Sequence, residues 1–179
     1  MFRTLSRLFL ALPLLAGCTA EIPTFDDEAR TEVCGGSVCF APDYLSVRRW
    51  GDGELTVAAW RGTEHCELPR SGNAPIAGNA LIVHLVKPRP GARLPIINHE
   101  LAEKTPFAET EGHATVHALR VDPKTGRALA DEEAVVGEVT VLDIDSATGR
   151  LRIRIRARFS SGVSSEQVLD IEGYRGCSS

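Results

Sequence analysis

Lysine is scarce in this chain: three lysines stand against seventeen arginines, so almost every positive side chain is a planar guanidinium. Arginine identity therefore says little by itself, and only its arrangement can point to recognition of phosphate or carboxylate. No run beyond the first residues approaches the roughly 20 apolar positions that a membrane helix requires. The sequence has no G-x-S-x-G elbow, no C-x-x-C pair and no H-E-x-x-H, and no Gly-rich loop joins a strand to a helix. A hydrolase nucleophile elbow, a zinc ribbon, a zincin site and a phosphate-cradling loop are all without support, and no cofactor is expected.

What is present begins at the amino end. Arg3 and Arg7 supply a short positive start, Leu8 to Leu15 an apolar stretch too short to span a bilayer, and small residues follow. The stretch ends Leu15-Ala16-Gly17-Cys18, which resembles the lipobox of bacterial lipoprotein precursors. The resemblance implies cleavage before Cys18 after its thiol has received a diacylglyceryl group. Residues 1–17 would be signal peptide, 18–40 a lipidated tether with an N-terminal disulfide loop, and 41–179 a single domain. Thr19 after the anchor, rather than aspartate, leans toward the outer membrane. Acyl chains contribute about 0.8 kcal/mol per buried methylene, so two or three hold firmly where one would not.

Loss of Arg3 and Arg7 leaves 18 of the 20 basic side chains against 24 acidic ones, a formal charge of −6. A nucleic-acid partner is disfavoured. The expected partners are the membrane, through the lipid on Cys18, and an envelope polymer or envelope protein.

Setting Cys18 aside leaves Cys34, Cys39, Cys66 and Cys177, an even number in an exported chain. Four cysteines permit three pairings. The short Gly35-Gly36-Ser37-Val38 loop favours Cys34–Cys39, which leaves Cys66–Cys177 to tie the carboxyl end back. A metal site built from these cysteines lacks both ligand spacing and a nearby histidine pair.

Residues 18–33 are acidic, without an apolar period, and read as tether. Period-two alternation starts near Tyr44, with Leu45 and Val47, then Leu55, Val57 and Ala59 after Gly51-Asp52-Gly53. With Gly53 in the left-handed position of a three-residue loop, Val47 meets Val57 and Leu45 meets Ala59. Leu81 to Val86 reads as a strand covered on both faces, His113 to Val121 as another, and Asn98 to Lys104 as one capped helical turn. Three further strands fall near 135–144, 150–159 and 165–173. Asp122-Pro123-Lys124-Thr125-Gly126-Arg127 recurs as Asp145-Ser146-Ala147-Thr148-Gly149-Arg150, which is hairpin-turn chemistry rather than a repeat architecture. About eight strands with Gly/Pro-rich connections predict an all-β fold, an antiparallel β-sandwich, with a small closed barrel as the alternative.

The sharpest local feature is Leu151-Arg152-Ile153-Arg154-Ile155-Arg156-Ala157-Arg158-Phe159. Alternation places four guanidiniums on one face, about 6.6 Å apart, in a row roughly 20 Å long. Such a row suits phosphates or sulfates spaced along lipid A, teichoic acid or an acidic polysaccharide. A turn at Ser161-Gly162-Val163 would instead set Arg158 against Glu166, Arg154 against Asp170 and Arg152 against Glu172, with Ile155 facing Leu169. A turn at Ala147-Thr148-Gly149 would set Arg158 against Glu138, Arg156 against Thr140 and Ile155 against Val141. These registers describe a self-neutralised face, and that is the expectation.

His113 and His117 lie about 13 Å apart along a strand, too far for one metal ion held by those two alone. His99-Glu100 fits the capped helical turn better than a metal site. Trp50 and Trp60 bracket the first hairpin and serve either as a ligand platform or, more simply, as covers over the edge of the core. Two functions follow. The leading one is a lipid-anchored, non-enzymatic binding or structural module of the envelope; the alternative is an envelope hydrolase or metalloenzyme using His84, His113 or His117.

Overall fold

A computed structural model describes residues 32–50, 53–62, 78–98, 112–145 and 147–172. Ten strands appear in it: β1 (Val33–Gly35), β2 (Val38–Phe40), β3 (Tyr44–Trp50), β4 (Glu54–Gly62), β5 (Gly78–Val86), β6 (Arg93–Pro95), β7 (His113–Val121), β8 (Ala128–Asp145), β9 (Arg150–Phe159) and β10 (Ser164–Ile171). The fold is all-β, as the alternation predicts. Eight strands form one antiparallel sheet in the order β10-β9-β8-β7-β5-β4-β3, with β6 added against β8, while β1 and β2 form a separate hairpin. The predicted helical turn at 98–104 extends beyond the described residues.

The long strand β8 gives the sheet its curl. Its first half pairs with β7, from His117↔Glu133 to Val121↔Ala128, whereas its second half pairs with the short β6 through Thr140, Val139 and Glu138. Between these halves the register against β9 shifts between Ala134 and Val136. Burial marks the bulge: Ala134 and Val139 are both buried although an odd number of residues apart, and Val135 and Val136 are both exposed between them. An extra residue bends the strand and reverses which parity faces inward. The segment around β6 fills the gap as β7 and β8 diverge, with the Ile96 amide donating to Gly137 O and the Ile97 amide to Ala114 O.

Curling brings the inner faces of the two halves together. Val57 and Ala59 of β4, Leu81, Val83 and Leu85 of β5, and Val116 of β7 join Val139 and Val141 of β8 and Leu151, Ile153 and Ile155 of β9 in one buried cluster. Period-two alternation produces this layer directly, because side chains two apart share a face. The first hairpin forms with the predicted register, Val47↔Val57 and Leu45↔Ala59, and Gly53 has φ +81°.

The β1–β2 hairpin plugs one side of this core. Cys34 and Cys39 are disulfide-bonded, as expected from their spacing, and sit opposite each other in the ladder. Val33, Val38 and Phe40 are buried in the main cluster, so a segment read from sequence as tether end and disulfide loop supplies core side chains. Gly35 is required by proximity: a Cβ there would collide with Ala118 and press on Leu81 and Phe159. Cys66 and Cys177 lie outside the described residues, as does Cys18.

Candidate anion-binding surface

The four arginines of β9 share the outer face, with Arg152, Arg156 and Arg158 exposed and Arg154 half-buried, while Leu151, Ile153, Ile155, Ala157 and Phe159 point inward. The face is as predicted; the neighbours are not. Observed partners across β10 are Arg158↔Ser164, Arg156↔Glu166, Arg154↔Val168 and Arg152↔Asp170. Across β8 they are Arg158↔Val136, Arg156↔Glu138, Arg154↔Thr140 and Arg152↔Asp143. The expected pairs Arg158–Glu166, Arg154–Asp170, Arg152–Glu172, Arg158–Glu138 and Arg156–Thr140 do not form. Ile155 likewise faces Gln167 and Val139 in place of Leu169 and Val141.

The physical reason on the β10 side is the loop. Phe159 N donates to Val163 O and Gly162 N to Phe159 O, so the three loop residues are Ser160, Ser161 and Gly162, with Gly162 last at φ +86°. Glycine takes the left-handed position that closes such a loop, as Gly53 does in the first hairpin. Placing Gly162 in the middle of the loop moves every partner by two residues, which preserves the faces and changes every pair. On the β8 side, the connection lies between Asp145 and Arg150, and the register shifts again between Val141 and Asp143.

The consequence is an alternating surface. Arg156 lies between two carboxylates, and its Nε sits 2.8 Å from Glu166 Oε1. Arg152 also lies between two acids, with its Nε 3.3 Å from Asp170. Arg150 joins that end, near Asp143 at 3.7 Å and Asp170 at 3.8 Å. Arg154 and Arg158 instead stand between neutral residues, and among the described residues neither has an ion-pair partner. A shallow depression of 510 Å³ opens at the Arg158 end, lined by Val136, Arg156, Arg158, Ser164 and Glu166. Val136 in its lining is exposed, as is Val168 opposite Arg154.

The histidines occupy the outer face of the other half. His84 Nδ1 is 3.1 Å from Thr56 Oγ1, and its Nε2 is 3.6 Å from Glu54. His117 lies 3.6 Å from Glu133 and 3.9 Å from Asp131. Cross-strand register places His84 opposite Thr115, His117 opposite Ile82 and His113 opposite Val86. Among the described residues no three His, Cys, Asp or Glu side chains gather closely enough to hold a metal ion. Trp60 is buried against Ala58, Ala80 and Leu119, with the Tyr44 ring 5.8 Å away, so it covers the sheet and is no exposed platform. The Trp50 side chain lies outside the described residues.

One polar cluster escaped the sequence reading. Glu132 is buried at the inward parity of β8, and its carboxylate accepts hydrogen bonds from the Ser37 amide at 2.8 Å and from the Ser37 and Ser161 hydroxyls. Burial pushes this carboxyl up, but the Ser161 and Ser37 hydroxyls and amides outweigh it and hold the group below the usual glutamate range. Gln167 completes the clasp: its Oε1 accepts from Cys34 N at 2.8 Å and its Nε2 donates to Cys34 O at 2.9 Å. The available signal was an acid flanked by Ala130 and Ala134 at core parity. These contacts dock the disulfide hairpin.

Comparison with protein-family models, with curated proteins and with solved structures yields no match.

Proposed function

We propose that the chain is a lipid-anchored protein of the bacterial envelope whose β-domain is a non-enzymatic binding module, with the outer face of β8, β9 and β10 as its contact surface. The observation that carries this reading is the pair of exposed or half-exposed guanidiniums, Arg154 and Arg158, which have no acidic partner among the described residues and lie beside exposed Val168 and Val136. A guanidinium makes its strongest hydrogen bonds to carboxylate and phosphate oxygens, and Arg154 and Arg158 offer two such contacts. The lipobox-like Leu15-Ala16-Gly17-Cys18 supplies the anchor, and the Cys34–Cys39 disulfide fits an oxidising compartment.

A photo-crosslinking residue placed at Val168, in the full chain expressed in its own envelope, tests the surface. Adducts with an acidic envelope component are expected there and not from Leu129, an exposed position on the first half of β8. Equal labelling from both positions, or none from Val168, contradicts the reading.

A further inference from the structure

Resting on the binding surface just proposed, we infer that it selects sparsely charged polyanions, chains carrying one acidic group about every 13 Å, over densely charged ones. The argument starts from the rows that cross the three strands. Val136–Arg158–Ser164 and Thr140–Arg154–Val168 each carry one positive charge. Glu138–Arg156–Glu166 carries one arginine between two acids and so is net negative, whereas Asp143 and Asp170 at the end of the strand are balanced by Arg152 and Arg150 together. From Arg158 through Arg156 to Arg154 the surface therefore runs positive, negative, positive.

Adjacent rows on one face of a strand are about 6.6 Å apart, so rows of the same sign recur at about 13 Å. An anionic group over Arg158 meets a guanidinium with no acidic partner among the described residues. Its neighbour on a densely charged chain falls over Glu138 and Glu166, with Arg156 already held by Glu166 at 2.8 Å. At physiological salt the screening length is about 8 Å, so this repulsion acts at the next row and is largely lost beyond it. A chain whose acids skip that row avoids the repulsion and reaches Arg154. Exposed Val168 beside Arg154 and Val136 beside Arg158 give the uncharged stretch of such a chain apolar surface to lie on. The chemistry this fits is an acidic polysaccharide with one carboxylate or phosphate per oligosaccharide repeat.

The full chain, purified from membranes in neutral detergent, is titrated with hyaluronan oligosaccharides as the sparse probe and with heparin and polyphosphate as dense probes, at matched anionic charge and 0.15 M salt. Hyaluronan is expected to bind at least tenfold more tightly per charge. Arg154→Gln and Arg158→Gln should each weaken it about tenfold, the scale of one charge-assisted contact. Glu138→Gln with Glu166→Gln, which removes the acids of the intervening row, should raise heparin and polyphosphate affinity at least tenfold. Dense probes binding as tightly as hyaluronan, but still through Arg154 and Arg158, would overturn the spacing inference and leave the binding surface standing. Binding of no probe, or binding indifferent to Arg154→Gln and Arg158→Gln, would overturn both.

Discussion

Glu132 shows how one side chain decides whether a peripheral element belongs to the core. It is an acid at a core-facing position, retained because Ser37 and Ser161 supply donors that water would otherwise provide. Glu132→Ala leaves the Ser37 amide without its acceptor and is expected to cost about 2 kcal/mol in urea unfolding. The same carboxylate sets a pH dependence. Its native value lies below the ordinary 4.5, so its contribution is fully present above that value and is lost as pH falls through the lowered one. Asp122, held down by the Lys124 amide and the Thr125 hydroxyl, and Asp145, held down by the Ala147 amide and the Thr148 hydroxyl, act in the same direction. Stability measured from pH 7 downward should therefore decline on the acid side, and less steeply in Glu132→Ala than in the parent chain. An unchanged slope would contradict the role given to this group.

At the scale of elements, the strands and faces were legible because alternation records burial, and β7 and β9 appear with the predicted bounds. The Asp-x-x-Thr-Gly segments were legible as turns because aspartate bonds the backbone two residues on, as Asp122 does to Lys124 N and Asp145 to Ala147 N, both at 2.8 Å. Pairing across β9 and β10 was read wrongly for one reason: the position of Gly162 in its loop fixes the register, and apolar alternation is blind to a shift of two. The bulges of β8 leave no comparable motif, and the docking of β1 and β2 depends on Glu132 and Gln167, distant in sequence. Gly162→Ala, with φ +86° forced on a side chain, is expected to lose about 1 kcal/mol. Gln167→Ala removes both bonds to Cys34 and should cost roughly 1 to 2 kcal/mol. Amide exchange in Val33 to Phe40 should quicken in that variant while β4 and β5 keep their protection. Uniform loosening of all strands would show that the hairpin is not a separately docked unit.

For the whole molecule, the curl set by β8 places two outer faces on opposite halves of the sheet. One carries buried Trp60 and the histidines His84 and His117; the other carries the alternating arginine rows. No helix among the described residues is long and apolar enough to cross a membrane. The proposed attachment is the lipid on Cys18, and Cys18→Ala is expected to move the protein out of the membrane fraction on cell fractionation while leaving binding by the arginine face intact. The lipid anchor is the foundation of the proposed function, and its most direct test is the intact mass of the protein extracted from membranes. A chain beginning at Cys18 and heavier than its residues by a glyceryl group and its acyl chains is the predicted result. An unmodified chain beginning at Met1 would contradict the account.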